Sequence, residues 1–96
     1  MIEFLIRPTE VDWFTFPPGT DPFQPFSMPF QQIEGPGDAR IEIDGCPISF
    51  SYEDPGIQVS FEGQIQEARA VAIAEEIRQR IEQTSGQTAQ MLQISA

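Results

Sequence analysis

Three short segments in which apolar and polar residues alternate constrain the fold of this chain more than any other feature. They read ARIEID over residues 39–44, PISFSYE over 47–53 and IQVSFE over 57–62. A period of two places the apolar residues of a strand on one face. Asp44-Gly45 is a strong signal for a two-residue hairpin, and Asp54-Pro55-Gly56 marks a second turn. The pattern predicts a three-stranded antiparallel meander with one polar face. Its apolar face is expected to carry Ile41, Ile43, Ile48, Phe50, Tyr52, Ile57, Val59 and Phe61.

A single amphipathic helix is predicted directly after the meander. Gly63 ends the last strand, and residues from about Ile65 to Thr84 are rich in good helix formers. Gly86 follows where a left-handed residue commonly ends a helix. Five small or branched residues form one stripe at helical spacing, and this stripe should cover the apolar face of the meander. They are Ala70, Ile73, Ala74, Ile77 and Ile81.

One further strand is predicted at each end of the chain. Ile2–Arg7 alternates and stops at Pro8, and Thr88–Ile94 is expected to return Leu92 and Ile94 to the sheet. The last strand can lie beside the first strand or beside the fourth, the final strand of the meander, and the sequence leaves both open. The chain is therefore predicted to be one α+β domain over residues 1–96. Its architecture is a two-layer sandwich with a mainly antiparallel sheet and the helix on one face.

The segment over residues 17–37 differs from the rest of the chain. It contains six of the nine prolines and three of the seven glycines, a density that a regular strand ladder does not tolerate. We predict an ordered but irregular segment with short extended pieces. The preceding run, Val11–Phe16, is expected to pair back on the first strand as a hairpin.

Seven large apolar side chains in and before this segment are the candidate protein-binding residues. One interpretation is a structural cover that wraps the edge or the far face of the sheet and forms a second small core. The other is a partly exposed apolar patch ringed by acids, which is typical of a binding surface. Both remain open at this point. The residues are Trp13, Phe14, Phe16, Phe23, Phe26, Met28 and Phe30.

Charge and cysteine content narrow the classes of partner and the location. Fifteen Asp and Glu against five Arg, with no Lys, give a net charge of −10. This charge disfavours nucleic acid and anionic membranes. Its first interpretation is solubility, and the second is electrostatic steering toward a basic protein partner. Neither a secretory signal in Met1–Ile6 nor an apolar run of the about 20 residues that a membrane helix needs is present. The single Cys46 cannot form an internal disulfide, so we expect a reducing cytoplasm.

Catalysis is not expected, because the chain contains neither His nor Lys. A Ser-His-Asp triad, an imidazole metal ligand and a Schiff base are thereby excluded. Carboxylate pairs remain possible among Glu42, Asp44, Glu53, Asp54 and Glu62, although an open sheet face predicts solvated acids there. Cys46 is expected to be an inert buried residue, and the serines at 49, 51 and 60 an ordinary solvated face. No cofactor, metal or catalytic residue is predicted.

The favoured hypothesis is a non-catalytic protein-interaction module, such as a small regulatory, adaptor or accessory subunit. One alternative is an acidic inhibitor, similar in action to an immunity protein, that blocks a basic partner. Another is a carboxylate-based enzyme or a small-ligand carrier. A homo-oligomer built on the aromatic surface or on an exposed sheet edge is also consistent with the sequence.

Overall fold

The computed structural model describes residues 1–25, 27–54 and 56–95. In this part of the chain, six strands and one helix occur in the order β1 (Ile2–Pro8), β2 (Gln31–Gln32), β3 (Ala39–Ile43), β4 (Cys46–Glu53), β5 (Gly56–Phe61), α1 (Glu67–Ser85) and β6 (Ala89–Ser95). The strands form one antiparallel sheet with the order β2-β3-β4-β5-β1-β6. The predicted α+β architecture is confirmed.

The meander forms as its alternation predicts. Ile41 is paired with Ile48, and Phe50 with Val59, so the apolar residues of neighbouring strands share one face. Asp44 and Gly45 both have positive φ, of 52° and 78°, which is the geometry of the tight hairpin that this dipeptide favours. At the second turn Glu53 pairs with Gly56, while Pro55 lies outside the described residues.

The helix covers the apolar face with the residues predicted from its periodicity. Ala70, Ile73, Ala74, Ile77 and Ile81 are all fully buried. The helix ends at Gly86, whose φ of 71° is left-handed and whose backbone N–H donates to the carbonyl oxygen of Glu82 at 2.8 Å. The helix approaches β1 and β6 most closely, and Arg69 in its first turn reaches Asp44 at the hairpin between β3 and β4.

The last strand lies beside the first strand, which is one of the two predicted positions. The faces of its side chains differ from the prediction. Met91 pairs with Ile6 on the core face, whereas Leu92 pairs with Leu5 on the open face. Ile94 lies at a register shift between two pairs and is half exposed. The predicted core-facing residues of β6 are wrong by one position. Met91 and Leu92 are both apolar, so the sequence pattern does not specify which of them is buried.

The predicted hairpin at Val11–Phe16 is wrong, because these residues form no strand. Instead the chain leaves β1 through Thr9, whose N–H donates to the carbonyl oxygen of Thr88 at 3.1 Å. Two residues of the segment predicted to be irregular, Gln31 and Gln32, do form a short edge strand against β3. The remainder of the described segment is irregular, as its proline content predicts.

Candidate protein-binding surface

A row of aromatic rings crosses from the loop between β1 and β2 onto the sheet. Phe14 stacks on Phe16 with ring centroids 5.9 Å apart, and Phe16 meets Phe23 edge to face at 6.4 Å. Phe23 stacks on Phe50 at 4.9 Å and meets Tyr52 edge to face at 5.7 Å. We call the four rings of Phe14, Phe16, Phe23 and Tyr52 the aromatic strip.

Exposure increases from the middle of the aromatic strip toward its ends. Phe23 is only 6% exposed, Phe14 and Phe16 are half-buried against the core, and Tyr52 is 55% exposed. Trp13, next to Phe14 in the chain, is 57% exposed. The strip is therefore anchored in the core at its centre and presents rings to solvent at both ends.

Two of the remaining candidate residues pack against the core and are less exposed than Trp13 and Tyr52. Met28 and Phe30 are half-buried and pack against the core, and Phe26 lies outside the described residues. The loop packs on the same face of the sheet as the helix, so it completes the helix layer at the β4 end. The predicted second core on the far face is wrong: the loop extends the main core, because Phe50 and Tyr52 leave apolar surface that the helix does not reach. The predicted position at the sheet edge applies only to β2.

Polar contacts hold this loop against the helix. The Thr15 N–H donates to Oε1 of Gln87 at 3.0 Å, just beyond the helix C-terminus. The Ser27 N–H and hydroxyl donate to the two carboxylate oxygens of Glu76, at 2.9 and 2.5 Å. Such bonds to an ionised acceptor are stronger than neutral ones, so the loop is fixed from both sides of the aromatic strip.

The Asp21 carboxylate stabilises the turn that places Phe23 against the sheet. One carboxylate oxygen accepts the Phe23 N–H at 3.1 Å, a bond typical of an Asx turn. The other oxygen accepts the side-chain amides of Gln24 and Gln32, at 2.8 and 3.0 Å. Asp21 thus links the turn to β2 and places a negative charge beside the rings.

The exposed end of the aromatic strip at Tyr52 lies in a negative field. Burial raises the pKa of the Tyr52 phenol, and the carboxylates of Asp38 and Asp21 raise the pKa further by opposing a second negative charge. The Asp38 carboxylate also accepts the Tyr52 backbone N–H at 2.7 Å. An exposed ring beside two carboxylates is suited to contact a cationic side chain.

Tyr52 belongs to the surface although the sequence places it only among the inward-facing residues of the meander. It does lie on the same face as Phe50, but it is the penultimate residue of β4, where the covering layer ends. Its position two residues before the turn at Asp54 was the signal that it would reach the rim.

Two of the acids considered for chemistry form ion pairs. Glu62 pairs with Arg40 at 2.5 Å and Asp44 pairs with Arg69 at 3.0 Å. Cys46 is buried, as predicted. In residues 1–25, 27–54 and 56–95, no group of three or more His, Cys, Asp or Glu side chains gathers where it could hold a metal ion.

A pocket of about 240 Å³ adjoins the aromatic strip at Asp21 and Phe23. Ile33, Arg40 and Ile41 also line it. The lining therefore combines apolar side chains with one acidic and one basic residue, Asp21 and Arg40. The aromatic surface is therefore continuous with a shallow recess at the base of the Asp21 turn.

Comparisons with protein families, with curated proteins and with solved structures found no match to this chain. Within the described part of the chain, the helix is too polar to cross a membrane.

Proposed function

We propose that this protein is a non-catalytic interaction module that binds a protein partner through the aromatic strip and Trp13. The observation that carries the proposal is the exposure of two large rings. Tyr52 ends a row whose centre is buried, and Trp13 precedes Phe14, the residue at the other end, in the chain. Tyrosine and tryptophan on a rigid support are the side chains most often responsible for binding energy at protein interfaces.

The chemistry around Tyr52 favours a partner that presents arginine or lysine. A cation over an aromatic face is attracted by the ring quadrupole, and the nearby carboxylates of Asp21 and Asp38 add a favourable Coulomb energy. The net charge of −10 would also steer a basic partner toward the chain. The partner is therefore proposed to be a protein whose contact surface contains exposed cationic residues.

Trp13 allows a direct test, because it is the single tryptophan of the chain. Peptides that contain two arginines should change its fluorescence saturably, and the same peptides with glutamate in place of arginine should not. Tyr52→Ser should weaken the arginine-peptide binding by about fivefold, since removal of an exposed cation–π contact and its packing is worth roughly 1 kcal/mol. Val71→Ser, an exposed substitution on the helix, is the matched control and should bind like the wild type.

A capture experiment from cell lysate tests the same surface against natural partners. The wild type and Val71→Ser should capture the same protein in stoichiometric amount, and the Trp13→Ser/Tyr52→Ser double variant should not. Equal capture by all three chains would exclude the aromatic strip as the binding surface.

The acidic-inhibitor alternative predicts a different result from the double variant. Binding would then follow the distributed negative charge, so it would survive Trp13→Ser/Tyr52→Ser and decrease steeply as salt is added. Binding through the rings would decrease in the double variant and depend less on salt.

A further inference from the structure

The strand β6 is a long free edge of the sheet. In the described sheet the two outer strands are β2, with two residues, and β6, with seven. A free edge presents unpaired backbone N–H and C=O groups, and natural proteins usually protect such an edge by making it short or by placing charges on it. The first protection applies to β2 and not to β6.

Charged side chains protect only the start of β6, where Glu82 accepts the Ala89 N–H and Arg78 donates to the Ala89 carbonyl oxygen. Residues 86–96 contain no charged side chain, although the chain has fifteen acids and five arginines. Ile94 is 50% exposed, and Met91 and Leu92 are half-exposed. In a chain with a charge of −10, a second copy can approach closely only where the facing elements are neutral, and β6 is such an element.

We propose that β6 pairs antiparallel with β6 of a second copy, so that the two sheets become continuous. A two-fold axis at Leu92 would place Leu92 opposite its own equivalent and Met91 opposite Gln93. These central pairs precede the register shift between Gln93 and Ser95, so the local irregularity does not interrupt them.

Side chains on the open face support this register. Leu5 and Leu92 are cross-strand partners and form an apolar pair on the open face, where Leu5 also pairs with Gln58 on β5 and lies between Glu3 and Arg7 on β1. Pairing at Leu92 would extend this pair into a row of four leucines across both copies, which removes apolar surface from water.

Charge placement in the pairing is also favourable. On β1, Arg7 lies beside Gln90 and Glu3 lies beside Ser95, on opposite sides of Leu5. The two-fold axis would align Arg7 of one copy with Glu3 of the other, about 14 Å apart across three strand spacings. At this distance the attraction is weak, and the larger effect of salt is to screen the repulsion between two acidic chains. The dimer should therefore strengthen as salt is added, unlike a complex with a basic partner.

Disulfide crosslinking tests the register. Directly opposite residues have Cβ atoms about 5 Å apart, so Leu92→Cys should give a disulfide-linked dimer on mild oxidation. Gln90→Cys would place its two thiols about 14 Å apart, so it is the matched control and should not crosslink. The wild type should not crosslink either, because Cys46 is buried. Equal crosslinking of the two variants, or of neither, would overturn the proposal.

Sedimentation equilibrium tests the pairing without a new thiol. The dimer fraction of the wild type should rise with protein concentration and with salt. Leu92→Lys should raise the dimer dissociation constant at least about tenfold, because like charges would face each other at the axis. Gln79→Lys, on the exposed side of the helix, carries the same charge change and should dimerise like the wild type. A chain that is monomeric at every concentration, or a dimer lost in Trp13→Ser and retained in Leu92→Lys, would contradict pairing through β6.

Discussion

At the scale of single residues, Glu3 connects three strands on the open face of the sheet. Its carboxylate accepts hydrogen bonds from the Ser60 hydroxyl at 3.0 Å, the Gln58 amide at 2.5 Å and the Ser95 hydroxyl at 3.1 Å. Gln58 and Ser60 lie on β5, and Ser95 lies on β6. The carboxylate therefore joins both neighbours of β1 in one network.

This network makes stability depend on the ionisation of Glu3. The hydrogen bond from Ser60 lowers the pKa of Glu3 most, burial opposes that shift, and the bonds from Gln58 and Ser95 and the charge of the chain amino group lower the pKa further. Because the folded pKa lies below the ordinary value of 4.5, the contribution is complete above that value. It is lost as the pH falls through the folded pKa.

Glu3→Gln should lower the free energy of unfolding at pH 7 by about 1 kcal/mol, a value reduced because solvent screens a half-exposed group. The difference from the wild type should shrink as the pH falls below 4.5. Urea denaturation at a series of pH values measures both effects. Glu10→Gln, in the exposed loop after β1, is the control. A difference that is the same at pH 7 and at pH 3 would exclude the carboxylate as its source.

At the scale of elements, the helix is predictable in its interior and its C-terminus, and weakly specified at its N-terminus. The buried stripe and Gly86 follow from spacing and from the conformation that only glycine adopts easily. The N-cap position is occupied by Gln66, which has the extended backbone of a cap but makes no side-chain capping bond. The observed start at Glu67 differs by two residues from the predicted one because no capping residue marks it.

Gln66→Ser should stabilise the protein by about 1 kcal/mol, because a serine hydroxyl at this position can accept the otherwise free N–H of the first helical turn. Thermal unfolding measures the change. Gln64→Ser, two residues earlier and outside the helix, should leave the midpoint unchanged. A gain of similar size in both variants would mean that capping is not the cause.

At the scale of the whole molecule, the helix and the loop between β1 and β2 together cover the apolar face of the sheet. The helix lies over β1 and β6, and Phe23 closes the face at β4 by stacking on Phe50. The aromatic residues thus divide by exposure: the centre of the strip is a cover, and its ends at Phe14 and Tyr52 reach solvent.

Phe23→Ala should therefore destabilise the protein by about 3 kcal/mol, since it removes a ring from a packed site. Trp13→Ala should cost less than about 1 kcal/mol because its ring is mostly in solvent. Urea denaturation midpoints compare the two. Similar costs for both variants would show that the loop does not divide into a buried centre and an exposed end.

The sequence by itself determined the elements whose signals are local. Alternation and the Asp44-Gly45 dipeptide define the meander, helical spacing defines the stripe through Ile73 and Ile77, and proline density excludes long strands between residues 17 and 37. Each signal depends only on backbone conformation and on which residues avoid water, so neighbouring positions suffice to state it.

Only the tertiary structure decided how these elements share surface. The position of β6 beside β1, the face to which Leu92 points and the choice of Phe23 as the buried ring depend on contacts between residues far apart in the chain. Tyr52 is exposed because the loop covers β4 only as far as Phe23 reaches. How far the loop must reach depends on how much of the sheet the helix leaves uncovered. Local pattern cannot report this area, because it is a property of how the layers meet and not of any one segment.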